Sequence, residues 1–132
     1  MRRSFARPLS AWLALTILSA AVVSGAVMTA QNKRDVSVTG RKYTYVVSDS
    51  GDAVIRVRKD DLVTITFSVS DIAHSFTISD DVYRLDRRAE PGKPVTMSFR
   101  ASKVGEFEIR CTLAIDDRCQ KEMRGKLIVT DK

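Results

Sequence analysis

Residues 62–78 read LVTITFSVSDIAHSFTI. Val63, Ile65, Phe67 and Val69 alternate with Thr64, Thr66 and Ser68. That strict period of two marks a strand with one face buried and one face wet. Past a short break, His74, Phe76 and Ile78 again share one face. The same grammar runs outward in both directions. Residues 35–39, 42–47 and 53–58 are short runs rich in β-branched and aromatic residues, separated by Gly40 and by the Ser48-Asp49-Ser50-Gly51-Asp52 turn. Residues 80–90 are polar and arginine-rich and read as a loop, and Pro91-Gly92 reads as a turn. Val95, Met97 and Phe99 then alternate with Thr96 and Ser98. Phe107, Ile109 and Cys111 oppose Glu106, Glu108 and Arg110, and Leu127 and Val129 mark a last strand. Seven or so short strands with turn signals between them predict an all-β, antiparallel Greek-key β-sandwich. No long helical period follows residue 33, and no internal repeat or low-complexity linker suggests a second domain.

The N-terminus predicts the compartment. Arg2, Arg3 and Arg7 precede a run without charge from Pro8 to Asn32. A basic flank before an apolar, helix-competent core reads as an export signal. Small residues at Ser24-Gly25-Ala26 suit cleavage. The uncharged run is also long enough to cross a bilayer, which takes ~20 apolar residues, with the basic flank held on the cytoplasmic side. The expectation is therefore a signal peptide or signal-anchor helix over residues 1–33 and one ordinary domain over residues 34–132, periplasmic or otherwise extracytoplasmic, secreted or anchored to the cytoplasmic membrane.

The formal net charge is +6. Three of those charges are Arg2, Arg3 and Arg7, which leaves a mildly basic domain. Its Lys and Arg residues are scattered among acids, and its few aromatics are not interleaved with them as a base-stacking platform requires. A nucleic-acid partner is not expected. With one histidine and no carboxylate pair in an apolar setting, hydrolytic and acid–base catalysis lack their parts, and the chain does not read as an enzyme.

The chemistry concentrates in few residues. His74 is the single histidine, and Cys111 and Cys119 are the two cysteines. Met123 follows four residues after Cys119. Imidazole, thiolate and thioether together form the ligand set that selects copper among the common metals. His74 shares the core-facing parity of Phe76 and Ile78, and Cys111 that of Phe107 and Ile109. A buried imidazole or thiol without a partner costs more than a Val or Leu in its place. A metal, a disulfide or a hydrogen bond would each supply that partner. In an exported domain, two cysteines a short loop apart also suit a disulfide, which would stabilise by roughly 2–3 kcal/mol in the chain-entropy picture. A dithiol that binds Cu(I) when reduced and closes when oxidised would be redox-sensitive. Met97 alternates with Val95 and Phe99 and reads as core. Arg118, Lys121 and Arg124 would offset the charge of two thiolates, or form a partner surface with Asp116 and Asp117. A plain solvated loop tip is the simpler reading.

At this point the chain resembles the cupredoxin family. IRVRKDDLVTITFSVSDIAHSFTI is similar to the segment that delivers that family's first histidine ligand, GKPVTMSFRASKVGEFEIRC to the strands leading to its cysteine, and MRGKLIV to its ending, where a methionine precedes the last strand. DIAHSF followed by GEFEIRCT is most similar to the copper-binding domain of cytochrome c oxidase subunit II and to related small periplasmic cupredoxins. The resemblance implies a cupredoxin-like domain with His74, Cys111 and Met123 as copper ligands, acting in one-electron transfer or copper handling with a redox partner or copper-acceptor protein, respiratory if the oxidase likeness holds. One departure matters: both mononuclear and binuclear sites of this family use two histidines, and this chain has one. Cys119 lies where some blue-copper proteins place the second histidine, and it is also the candidate for a second cysteine of a binuclear centre. The metal set is therefore His74, Cys111, Cys119 and Met123, with one copper expected and a binuclear site left open. Two alternatives accompany it: a Cu(I) carrier that delivers or sequesters metal, and a copper-free sandwich with a Cys111–Cys119 disulfide that serves as a structural or partner-binding module.

Overall fold

The computed structural model describes Gly25 and residues 31–131. The export or anchor segment expected over residues 1–33 falls almost wholly outside them. Among the described residues, no helix is long and apolar enough to cross a membrane.

Nine strands and one short helix follow in order: β1 Lys33–Arg41, β2 Thr44–Val47, β3 Val54–Arg58, β4 Leu62–Val69, β5 His74–Ile78, β6 Leu85–Ala89, β7 Val95–Arg100, β8 Gly105–Arg110, α1 Asp117–Glu122 and β9 Arg124–Thr130. They form two sheets, β2-β1-β4-β7 and β3-β9-β8-β5-β6. The expected sandwich is present. Its sheets are mixed rather than wholly antiparallel, because β1 pairs parallel with β4 and β3 parallel with β9. Alternation in sequence reports which face is buried and is blind to the direction of a neighbour, so this could not be read from the chain.

The period of two in β4 does what it predicts. Val63, Ile65, Phe67 and Val69 are buried, and their neighbours face outward. They pack against Val36, Val38, Ile55, Ile109, Leu127 and Val129 from both sheets. Aligned packing of two inner faces is how a sandwich buries its apolar surface. β6 is the exception to the expected loop over residues 80–90. It is an edge strand paired on one side with β5, and three of its five residues are exposed. Such a strand carries charge instead of alternation. α1 is the other addition: six residues are too few to show a helical period.

β4 carries the chain from the end where β1 begins to the end where β5 starts at His74. β8 runs toward the same end and stops at Arg110, one residue before Cys111. α1 and the start of β9 complete that end. The strand directions therefore bring together two short segments 37 residues apart in sequence, from His74 to Cys111.

Candidate metal centre

His74 is wholly buried as the first residue of β5. Its Nε2 lies 2.9 Å from Asp71 Oδ1. Asp71 is itself fixed: its Oδ1 accepts the Ile72 N–H at 2.7 Å and its Oδ2 the Lys42 N–H at 2.6 Å. Burial pushes the Asp71 carboxyl up, but these two N–H groups and His74 together outweigh it and hold its pKa below the usual aspartate value. A carboxylate only accepts hydrogen bonds, so the ring must donate from Nε2, and in the neutral imidazole the lone pair then sits on Nδ1. Nδ1 has no hydrogen-bond partner, and it is the one buried side-chain nitrogen or oxygen so placed among the described residues. Leaving such a group unpaired is costly.

Cys111 and Cys119 face it. A ring nitrogen of His74 and the two sulfurs all lie within 4.8 Å of one another, and all three residues are buried. The sulfurs are joined in a disulfide, the arrangement expected as the alternative to a dithiol. Cys111 follows β8, and its sulfur accepts a hydrogen bond from the Ser75 N–H at 3.4 Å. Once reduced, that donor would help to carry the charge of a thiolate. Cys119 is the buried residue of α1, whose N-cap is Asp116. Met123, fully buried, ends the same loop, and its carbonyl accepts the Cys111 N–H at 3.3 Å. Its methyl group rests against Gly40 of β1. A Cβ at that position would stand 3.0 Å from the Phe67 ring and 3.2 Å from the methionine methyl, so a side chain there would crowd both.

The residue types were readable in sequence, and the structure brings His74, Cys111 and Cys119 into one group with Met123 at its edge. The supporting residues were not. Asp71 lies three residues before His74, a spacing that means nothing until the loop is folded. Ser75 acts through its backbone. The outward-facing Ser75 and Thr77 of β5 are also buried, in a hydrogen-bonded cluster with Thr112 and Asp86. The basic residues of the loop each have an acidic partner. Arg118 pairs with Glu122 at 2.9 Å, Arg124 with Glu108, and Lys121 with Asp117 at 3.6 Å. Asp116 is likewise no free loop tip: it accepts hydrogen bonds from the Tyr43 hydroxyl and the Arg118 N–H.

The donor set passes the test of fit for a soft metal ion. It holds a buried ring nitrogen without a hydrogen-bond partner, two sulfurs close to the same ring, and a carboxylate bonded to the ring's other nitrogen as one that orients a histidine ligand would be. Neutral imidazole with thiolates suits copper. The condition is chemical, since the disulfide must take up two electrons before its sulfurs become thiolate ligands.

No family model matches the chain, and no curated protein matches it. Solved structures do. The periplasmic domain of subunit II of cytochrome oxidase (CoxB) of Bradyrhizobium japonicum superimposes with a TM-score of 0.64 at 17% identity, over 80% of this chain and 89% of that one. Subunit II of cytochrome c oxidase in a mixed disulfide with a thioredoxin-like protein gives 0.60 at 18%, over 75% and 83%. Auracyanin A, a blue copper protein of Chloroflexus aurantiacus, gives 0.58 at 16%, over 75% and 100%. The chain therefore has the cupredoxin fold.

Proposed function

We propose that this chain is an extracytoplasmic cupredoxin-like protein that binds copper through His74 Nδ1, Cys111 Sγ, Cys119 Sγ and Met123 when its disulfide is reduced, and that serves copper handling or one-electron transfer rather than catalysis. The observations that carry this reading are the buried His74 Nδ1 without a hydrogen-bond partner and the closeness of the His74 ring to both sulfurs. Copper in such a site supplies a one-electron couple. The chain's own residues do the rest. Asp71 fixes the ring through Nε2 and leaves Nδ1 as the lone-pair nitrogen, the Ser75 N–H supports the Cys111 sulfur, and Phe67, Phe76 and Tyr45 pack together in the core below. Two thiolates bring one more negative charge than a single-cysteine site. That charge favours the higher oxidation state, against the preference of soft sulfur for Cu(I).

Partner and compartment follow the same reading. The oxidase subunit that shares the fold is described as periplasmic, and it forms a mixed disulfide with a thioredoxin-like protein. A dithiol reductant of that class would open Cys111–Cys119 by exchange and become a disulfide itself, leaving the site ready for metal. The observed disulfide supports a second reading, in which the covalent link is permanent and the domain is a copper-free structural or partner-binding module.

Copper titration of the full chain, with and without prior reduction by a dithiol, separates the two. The expected result is one copper per reduced chain, none per disulfide form, and no binding by Cys111→Ser. An intense thiolate-to-copper absorption that appears and disappears with oxidation state would mark electron transfer, and tight, colourless Cu(I) binding a carrier. No uptake by a chain with two free thiols would sink the copper reading and leave the module.

A further inference from the structure

The turn between β1 and β2 touches both arms of the site. Lys42 donates its N–H to Asp71, the carboxylate that holds His74. Tyr43, the next residue, donates its hydroxyl to Asp116, the N-cap of the helix that carries Cys119. The Arg118 guanidinium also lies 4.2 Å from the centre of the Tyr43 ring. Two adjacent residues of one turn thus grip segments that begin 29 and 73 residues further along the chain.

The grip on α1 matters most when the disulfide is open. A helix of six residues does not stand by itself in water. In the oxidised chain the sulfur–sulfur bond ties Cys119 to Cys111. After reduction that tie is gone. Cys119 still packs in the core, and the polar and ring contacts between α1 with its cap and other elements include Tyr43 to Asp116, Tyr43 to Arg118, Gln120 Nε2 to the Thr112 carbonyl at 3.3 Å, and Arg124 to the Gln120 carbonyl at 3.1 Å. The last two come from the same β8–β9 connection or its end and move with it. Tyr43 alone among them anchors the helix to a different part of the sandwich.

We infer that Tyr43 is a positioning residue, which through Asp116 holds Cys119 beside Cys111 and His74 in the dithiol state, so that the opened site keeps the arrangement needed to bind metal or to close again. The inference rests on the copper reading for its metal half, and stands apart from it for the disulfide half. Closure converts the protein dithiol and one oxidised glutathione into the protein disulfide and two reduced glutathiones, so its equilibrium constant measures how well the two thiols are held together.

The test is Tyr43→Phe, which keeps the ring under Arg118 and deletes the hydroxyl. Losing a hydrogen bond to a carboxylate should weaken the glutathione equilibrium for closure about fivefold, and copper affinity of the reduced chain by a similar factor. His74, as the single histidine, gives unambiguous 15N signals. In the metal-free protein they should keep wild-type positions in Tyr43→Phe and shift in Asp71→Asn. Wild-type values of both constants in Tyr43→Phe would overturn the inference. So would a change in copper affinity with closure unaltered, because the hydroxyl must act through Cys119 in both reactions, and so would disturbed His74 signals in Tyr43→Phe, which would mean general loosening. If wild-type protein takes up no copper yet closure weakens in Tyr43→Phe, the metal reading fails and the positioning role stands.

Discussion

The two ends of this sandwich each hold a buried aromatic cluster with a buried polar group, and they treat that group in opposite ways. At the end away from the cysteines, Tyr83 packs edge-on against Phe107 and Phe99 with ring centres 4.7 and 5.3 Å apart. Its hydroxyl donates to the Lys103 carbonyl and accepts the Lys103 N–H, both at 2.7 Å. Among the described residues, no buried side-chain nitrogen or oxygen is left without a partner there. At the other end Tyr45, Phe67 and Phe76 form a similar trio with centres 5.6–5.9 Å apart. Tyr45 donates to the Ser75 carbonyl at 2.5 Å, and burial drives its phenol pKa far above the ordinary value. Yet immediately above this trio the chain buries an imidazole and leaves Nδ1 unpaired. One end is built to be stable. The other leaves a buried ring nitrogen without a partner, which the proposed binding role would explain.

The strongest way to break this contrast is a pair of substitutions. Phe107→Ala removes a ring that packs on Tyr83 and should lower unfolding free energy by about 3–5 kcal/mol, with copper binding by the reduced form preserved under conditions where the chain remains folded. His74→Leu removes an imidazole whose one bond is to Asp71, and should leave stability within about 1 kcal/mol of wild type while abolishing copper binding. Chemical denaturation of the disulfide form measures both stabilities. A large loss in His74→Leu would mean that His74 is a structural element and the two ends do not differ as described.

A smaller effect sharpens the same point. Tyr83→Phe leaves the ring packing and deletes both Lys103 contacts, exposing a backbone N–H and a carbonyl that then need water. The expected cost is about 1–3 kcal/mol, with no change at the cysteine end. If Tyr83→Phe is neutral, satisfaction of buried polar groups is not what stabilises the lower end, and the unpaired Nδ1 loses its significance as a signal.

What could be read in the sequence divides along the same line. β4 was legible to the residue because one face is buried and the other wet. β6 was not, because an edge strand has no second neighbour to impose alternation. The parallel pairings of β1 with β4 and β3 with β9 leave no mark on periodicity. At the site, the rarity of the residue types pointed to His74, Cys111, Cys119 and Met123. The groups that position them left no such trace. Asp71 and Asp116 look like any surface acids, Ser75 works through its N–H, and Tyr43 reaches Asp116 across 73 residues of chain. Ligand chemistry is written in residue type, whereas preorganisation is written in contacts that exist once the chain has folded.

The smallest effect concerns the acid response, and it belongs to neither end. In the β2–β3 turn, Asp52 accepts hydrogen bonds from the Ser50 hydroxyl, Arg56 and the Val54 N–H, and these lower its pKa to about 2. A carboxylate whose folded pKa is depressed stabilises the fold fully above its unfolded value, near about 4, and loses that contribution as pH falls through the folded value. The turn is exposed, so solvent screens the interaction and the gain is small. Asp52→Asn should therefore be slightly less stable than wild type at pH 7 and converge on it by about pH 2, as read from urea midpoints of the disulfide form. A constant gap between the two proteins at both pH values would show that the carboxylate's charge is irrelevant to this turn. Convergence would show that acid sensitivity here comes from an ordinary surface turn.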